Sequence, residues 1–483
     1  MRMAVISGDG LPVSGLLTTL RNLYNLGASK GLIERPIVID LGYSWRPDKA
    51  AYFPDGGLLA NHSEGLYPSW LSVSNAVPYE NDPDEMRSRF DAVRTSIAQW
   101  DDITLASQQR IRGQIEEIAK QYRRYFFNLF ARHKVDWCIA MNMTLSDALP
   151  VTLGLHRAAD DYWGAGRRGG ILFWDHDLFG SYAVKDHGNR VYPPRPNELT
   201  PLPGGSPWHR WVVVSPRLSR EAEGYPTPLM PEFVPLVLPL LELHHGGERD
   251  DFSRLLAFAK QQNIDLGRPV IVAPVRVFRV KGVEITIELF SEVSMVSRRR
   301  HSPCPYLLVF GALCEDPEYA EQILSVVESL EMTEAIRFLD GVPLVSYRDQ
   351  AGRWQLDEID LLRLASTTSG GVFYTPNCSD VESVGLGPAL AAVARLPFAA
   401  TSFDAFNDAY GEEFEYVQVG KEISLADPAR EFVDAMAALR SGDRIAHERM
   451  DVNQHLIADR FPAQPWLQVL EDMAAVAEQQ LDQ

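Results

Sequence analysis

The sequence is poor in cysteine and lacks the spacings by which cysteines cross-link a fold or hold a metal ion. Only four occur among 483 residues, and no two of them form a CxxC pair: Cys138, Cys304, Cys314 and Cys378. Each lies in or beside an apolar run, which favours buried thiols. We therefore expect neither a disulfide framework nor a zinc site.

Long hydrophobic runs are also missing. The first residues, MRMAVISGDG, contain too short an apolar stretch for the core of a signal peptide. The longest later candidate, FVPLVLPLLEL, is interrupted by prolines, whereas a membrane span needs about eighteen consecutive apolar residues. We expect a cytoplasmic protein with no integral membrane segment.

An excess of positive charge is missing as well. The chain has 46 Lys and Arg against 65 Asp and Glu, a formal net charge of −19. Unspecific binding of a polyanion requires a basic surface, so we expect no nucleic-acid partner. One local basic pocket can still hold a phosphate, so the net charge does not exclude a nucleotide as the ligand.

What the sequence does contain is strand alternating with helix, in two successive series. The first half has apolar strand-like runs at Met3–Ser7, PIVIDLGYSW, VDWCIAMN, GGILFWDHD and WVVVSP, with helical patterns between several of them. The second half repeats the alternation with PVIVAPV, YLLVFGA, AIRFLDG, GVFYTP and FAATS. This order predicts an α/β protein of two Rossmann-like, doubly wound domains facing across a cleft.

The predicted boundaries follow from the same pattern. The segment HHGGERDD, residues 244–251, resembles a hinge. We predict an acceptor-side domain over 1–243 with a helical or irregular insertion at about 45–130, and a donor-binding domain over 252–462. The final stretch, 463–483, is predicted to be a helix that packs back on the first domain. Ligands of such sheets bind beyond the carboxyl ends of the strands, so the site is expected between the domains.

Two cations form the most specific candidate site. In VIVAPVRVFRVKGVEITIELF, Arg276 and Lys281 lie in the turn between a strand and the next helix. Two cations beside helix N-terminal amides suit a diphosphate. The alternative is that both are ordinary solvated turn residues.

A second strand–loop–helix unit follows about a hundred residues later, in FYTPNCSDVESVGLGPALAAV. The amides at Val384–Leu386 can receive phosphate oxygens, and Glu382 can accept hydrogen bonds from sugar hydroxyls. The alternative is a plain helix cap, since acidic residues favour that end of a helix.

Together the two loops resemble the donor domain of retaining glycosyltransferases of family 4, which have the GT-B fold. That family shows Arg, four residues, then Lys-Gly, and later a Glu-Gly-Phe-Gly-Leu segment; here Arg276, Lys281 and Glu-Ser-Val-Gly-Leu keep both spacings. The resemblance implies that Arg276 and Lys281 hold the donor diphosphate, that Glu382 contacts the transferred sugar, and that the loop carries donor-binding residues Ser383, Val384, Gly385 and Leu386. The sequence departs from the family at Leu390, where a second Glu usually binds the ribose.

The resemblance extends to the first half. His176 and Asp177 end the strand run ILFWDHD, where the family often has a His that contacts the donor sugar, and the turn SGDGLPVSG resembles the family's first glycine loop, with Gly8, Gly10 and Gly15. Asp175-His176-Asp177 also reads as Asp-x-Asp, a pattern that can hold a divalent cation. We reject that interpretation, because cations and helix amides perform the same task in this fold.

The predicted function is transfer of a hexosyl unit from a nucleoside-diphosphate sugar to a hydroxyl of a small acceptor, with retention, without metal and without a cofactor. The alternatives are a nucleotide-sugar epimerase, a phosphorylase-like enzyme, or a catalytically degenerate GT-B partner protein. A dehydrogenase is poorly supported, because the first loop lacks G-x-G-x-x-G. The oligomeric state is left open, a homo-oligomer included.

Overall fold

The computed structural model describes residues 1–9, 15–42, 44–46, 67–74, 78–79, 82–186, 188–239, 249–420 and 424–478. Gly10 and most of the predicted hinge, 244–248, lie outside the described residues, as does 47–66 of the predicted insertion.

The N-terminal half is built on a parallel sheet. Its elements are β1 (Met3–Ser7), α1 (Gly15–Ser29), β2 (Ile37–Asp40), β3 (Leu71–Val73), α2 (Pro83–Ala98), α3 (Leu105–His133), β4 (Trp137–Met141), α4 (Leu149–Trp163), β5 (Gly170–Asp175), the hairpin strands β6 (Lys185–Asp186) and β7 (Asn189–Arg190), β8 (His209–Val213), α5 (Pro216–Ala222) and β9 (Glu232–Phe233). Seven strands pair in the order β3-β2-β1-β4-β5-β8-β9, every pair parallel.

The C-terminal half repeats the architecture. Its elements are α6 (Arg249–Gln261), β10 (Val270–Ala273), α7 (Val283–Arg299), β11 (Tyr306–Val309), α8 (Pro317–Ser329), β12 (Ile336–Phe338), the hairpin strands β13 (Tyr347–Arg348) and β14 (Trp354–Gln355), α9 (Glu358–Thr367), β15 (Gly371–Tyr374), α10 (Leu386–Val393), β16 (Phe398–Thr401), α11 (Phe406–Tyr410), β17 (Val417–Val419), α12 (Ala426–Arg440), α13 (Arg444–Arg460) and α14 (Gln464–Glu478). Six strands pair in the order β12-β11-β10-β15-β16-β17, all parallel. The predicted fold class is confirmed.

Burial explains why these strands could be found in the sequence. Every residue of β1, β4, β5, β10, β11 and β15 is buried. Parallel sheets covered by helices on both faces have strands that are apolar almost throughout, rather than alternating. The loops that carry polar residues beyond the strand ends are therefore the natural place for a site.

The last helix crosses back to the first sheet. The indole Nε1 of Trp137 in β4 donates to the carbonyl of Met473 at 2.9 Å. The rings of Trp174 in β5 and Trp466 in α14 lie 4.6 Å apart. Both tryptophans of that ring pair are fully buried, so α14 ties the C-terminal half to the N-terminal sheet.

Within the predicted helical or irregular insertion at about 45–130, the structure forms helix α2. Asp82 caps the helix through hydrogen bonds from the amides of Asp84 and Glu85, and Pro83 occupies the first turn. These residues are strong signals for the start of a helix. The apolar periodicity of α2 is weak, however, so the sequence pattern alone does not clearly predict a helix here.

A membrane-crossing helix, long and apolar enough to span a bilayer, is not found among the described residues.

Candidate functional site

A cavity of about 280 Å³ lies between the two sheets, at their carboxyl ends. Both halves of the chain line it. The N-terminal half contributes Asp9, Gly15, Leu16, Thr18, Asn142, His176, Asp177, Val214 and Leu236. The C-terminal half contributes Pro274, Val275, Arg276, Lys281, Phe310, Val342, Glu358, Tyr374, Val381, Glu382, Ser383, Val384, Gly385, Leu386 and Leu390.

Arg276 and Lys281 lie in the loop between β10 and α7, and each already has an anionic partner. The Lys281 ammonium pairs with the Glu382 carboxylate, with side chains 22% and 9% exposed. The Arg276 guanidinium pairs with Glu315, whose side chain is 6% exposed, and lies 3.8 Å from Asp9 of the opposite half. Both cations therefore line the cavity while they are paired with carboxylates of the protein.

Gly282 fixes the turn that presents Lys281. Its φ is +61°, and a Cβ placed on it would lie 2.1 Å from the carbonyl oxygen of Thr375, the residue that follows β15. The Thr375 hydroxyl donates to the Gly282 carbonyl at 3.1 Å. Only glycine combines this backbone angle with so close an approach, so the Lys281 loop is pressed against the loop that carries Glu382.

The loop 380–386 brings a carboxylate and a helix N-terminus to the same wall. Gly385 has a φ of +67° and precedes α10. Because this N-cap residue is a glycine, it has no side chain to cap the first amides of the helix. Gly385 and Leu386, at this helix start, line the cavity together with Glu382.

The opposite wall is formed by residues after β4 and β5. Asn142 follows β4 with a φ of +52°, and its Oδ1 accepts hydrogen bonds from the backbone amides of His176, at 2.6 Å, and Asp177, at 3.3 Å. Asn142 therefore fixes the backbone after β5, where His176 and Asp177 line the cavity.

His176 is neutral in this environment. Burial lowers the pKa of its imidazole to about 3, although the charge of Asp9 acts in the other direction. The Nε2 atom is buried and has no hydrogen-bond partner among the residues that the structure describes. A neutral imidazole with an unpaired nitrogen can donate to or accept from a ligand hydroxyl.

The side chain of Asp177 contacts the C-terminal half of the chain across the cleft. Its Oδ1 accepts a hydrogen bond from the Ser383 hydroxyl, and nearby Ser181 donates to Asp380 at 2.9 Å. Burial raises the pKa of Asp177 to about 6, partly offset by the Ser383 hydrogen bond; the charge of Glu382 raises it further, and that of Lys281 lowers it.

This raised pKa predicts how Asp177→Asn alters stability with pH. The folded protein holds a proton on Asp177 between the ordinary value of 3.8 and about 6, so this group makes wild type less stable as pH rises through that window. We expect the unfolding free energy of the variant, relative to wild type, to increase across it and to level off above. Thermal denaturation from pH 4 to 8 measures this; a pH-independent difference would contradict it.

The two carboxylates of the Asp-x-Asp pattern have different hydrogen-bond partners. The Asp175 carboxylate is buried and accepts from the Trp211 indole at 2.7 Å, whereas Asp177 turns to Ser383. Among the residues that the structure describes, no group of three or more His, Cys, Asp or Glu side chains could hold a metal ion.

The structure brings nearly all predicted site residues to one cavity. His176, Asp177, Arg276, Lys281, Glu382 and the loop residues Ser383–Leu386 line it, as does Gly15. Gly8 is not among the residues that line the cavity, and a Cβ on it would be 3.5 Å from the Trp45 indole nitrogen. Gly10 lies outside the described residues.

Sequence reasoning missed several residues of the site: Asp9, Asn142, Glu315, Glu358 and Tyr374. Asn142 and Tyr374 directly follow or end a strand, and that position was a usable signal. The sequence around Glu315 gives no signal, because Glu315 belongs to the site only through its ion pair with Arg276, which lies on another loop.

Comparisons with known proteins agree with the two-sheet fold. No protein-family model matches the sequence, and no curated protein matches it. Solved structures do: sucrose-phosphate synthase from Thermosynechococcus elongatus (TM-score 0.57, 14% identity, covering 100% of this chain and 99% of the other), HepE from Anabaena in complex with UDP-glucose (0.55, 10%, 98% and 99%), and a glycosyltransferase from Rickettsia africae (0.54, 12%, 98% and 98%). The chain has the GT-B fold of these glycosyltransferases.

Proposed function

We propose that the protein transfers a hexosyl unit from a nucleoside-diphosphate sugar to a hydroxyl of a small acceptor, with retention and without a metal ion. The observation that carries the proposal is the placement of Arg276, Lys281 and the N-terminus of α10 around one interdomain cavity. The solved complex of HepE with UDP-glucose supports the choice of donor class.

The chemical demand is departure of a nucleoside diphosphate. Negative charge grows on the leaving oxygen as its bond to the sugar carbon breaks, and fixed positive groups aimed at that oxygen lower the barrier. Arg276, Lys281 and the α10 amides supply such groups from one wall. This is the role that the resemblance to family 4 assigns to the two cations.

The ion pairs around the cavity suggest how donor binding is coupled to sugar binding. Lys281 is held by Glu382 in the ligand-free protein. A diphosphate has more negative charge than one carboxylate and can take over Lys281. The Glu382 carboxylate is then available to the hydroxyls of the transferred sugar.

The N-terminal wall orients the sugar. His176 is neutral, so it can hydrogen-bond a sugar hydroxyl without adding positive charge at the anomeric carbon. In a retaining transfer the acceptor hydroxyl attacks from the face that the diphosphate leaves, and its proton goes to the departing phosphate oxygen. No protein carboxylate then has to form a covalent intermediate.

A nucleotide screen tests this proposal. Thermal denaturation of the purified protein with UDP, GDP, ADP and TDP is expected to show stabilisation by at least one of them. The corresponding sugar nucleotides are then assayed with polyol and aminocyclitol acceptors. Turnover of a sugar nucleotide to an epimer, or its phosphorolysis, would favour the rival enzymes, and no stabilisation by any nucleotide would contradict the proposal.

A further inference from the structure

The cavity wall has a leucine where the resembling family places a ribose-binding glutamate. Leu390 lies in α10, is 2% exposed and lines the cavity. Its side chain offers no acceptor to the hydroxyls of a ribose. Another acceptor must serve a nucleoside in this site, because buried hydroxyls left unpaired weaken binding.

Glu358 also lines the cavity, and the proposed transfer leaves its carboxylate without a role. It begins α9, is 7% exposed and lines the cavity. Its Oε1 accepts from the Arg21 guanidinium of α1 at 3.1 Å. The oxygens of a carboxyl group together have several acceptor sites, so the bond from Arg21 leaves capacity for a ligand.

Arg21 holds the Glu358 side chain in place. It is 3% exposed, and it also donates to the carbonyl of Leu344 at 3.4 Å. Burial raises the pKa of Glu358, and the charge of Arg21 and its hydrogen bond act against that rise. A buried carboxylate with a matched cation is fixed in orientation, as a binding group needs to be.

The surroundings of Glu358 suit a nucleoside. Val275, Phe310 and Val342 follow three neighbouring strands, β10, β11 and β12, and form an apolar part of the cavity wall. The loop after β12 that carries Val342 also contains Leu344, which Arg21 ties to Glu358. A base on the apolar wall and a diphosphate at Arg276 leave the ribose between them.

We propose that Glu358 binds the 2′- and 3′-hydroxyls of the donor ribose. It would take the role of the glutamate that the resembling family has at the position of Leu390. This inference rests on the proposed function, because it presumes a nucleoside diphosphate in the cavity. It makes Glu358 a specificity residue that distinguishes a ribonucleotide from its dideoxy analogue.

The test compares UDP with 2′,3′-dideoxyuridine diphosphate by calorimetric titration; if the screen selects another base, the same pair is used with that base. Wild type is expected to bind the dideoxy compound about ten- to a hundredfold more weakly, the usual effect of hydrogen bonds to a charged group. Glu358→Gln is expected to weaken binding of the ribonucleotide by a similar factor and to leave the dideoxy compound almost unchanged. The preference for the ribonucleotide should therefore shrink.

Asp360→Asn is the matched control. Asp360 lies on the same helix, is 1% exposed and pairs with Arg254 at 2.6 Å, so the variant disturbs a neighbouring buried ion pair outside the cavity wall. Its ribose preference should equal that of wild type. If E358Q fails to fold, Glu358→Asp keeps the charge opposite Arg21, withdraws the carboxylate by one methylene, and should also reduce the preference.

The outcomes separate this inference from the proposed function. Equal weakening of both ligands by E358Q, or an unchanged preference, would overturn the ribose contact while nucleotide binding to wild type stands. Failure of wild type to bind any nucleoside diphosphate would overturn the proposed function itself, and the ribose contact with it.

Discussion

Replacing Lys281 by methionine is expected to remove most nucleotide-dependent stabilisation and to lower kcat/KM for the sugar nucleotide by about a hundred- to a thousandfold, the usual effect of losing one group that stabilises developing charge. Methionine keeps most of the side-chain length but has no charge. The Glu382 carboxylate, which pairs with Lys281 in the ligand-free protein, then faces the diphosphate without a cation between them. Thermal shift and steady-state kinetics measure the two effects.

Arg279→Met is the matched control for Lys281→Met. Arg279 lies two residues away in the same loop, where it contacts Asp316 and Glu318 and stacks over Tyr319, and it does not belong to the cavity wall. Its loss changes the net charge by the same amount, so nucleotide binding should stay near that of wild type. Similar losses in both variants would show that general charge, rather than Lys281, attracts the nucleotide.

Gly282→Ala is expected to destabilise the C-terminal half by at least about 2 kcal/mol and to impair nucleotide binding in the protein that still folds. Alanine would have to adopt a φ of +61° with its Cβ 2.1 Å from the Thr375 carbonyl oxygen. Relief requires the Lys281 loop to move away from β15. Chemical denaturation and nucleotide titration report the two consequences.

Gly352→Ala separates the two causes of that effect. Gly352 has a φ of +74°, but a Cβ there would have no heavy atom within 4 Å. The free energy of unfolding of this variant should therefore fall only by about 1–2 kcal/mol, because alanine is unfavourable in the left-handed conformation. It should bind nucleotide as wild type does. If both variants lose the same stability and the same affinity, the close approach of the two loops is not what positions Lys281.

The sheets could be predicted because their signals are local. Strands such as β1, β4, β10 and β15 are short apolar runs bounded by polar loops, and the helices between them have apolar faces. The loop residues Arg276 and Lys281 were visible for the same reason, since a strand end and a helix start enclose them. A parallel fold then brings such loops to one edge.

Partners distant in the chain could not be predicted in the same way. Lys281 and Glu382 are 101 residues apart, and Arg21 and Glu358 are 337 residues apart. Nothing in the sequence near Glu358 indicates that α1 supplies its cation, because that contact depends on how the two halves face each other. Glu315 and Asp9 were missed for the same reason.

A crystal structure with UDP bound, or with the nucleoside diphosphate that the screen selects, tests most directly whether Arg276 and Lys281 grip the leaving group. We predict phosphate oxygens within hydrogen-bond distance of both side chains and of the first amides of α10, with the Lys281–Glu382 ion pair broken. A diphosphate bound elsewhere, with that ion pair intact, would contradict the account.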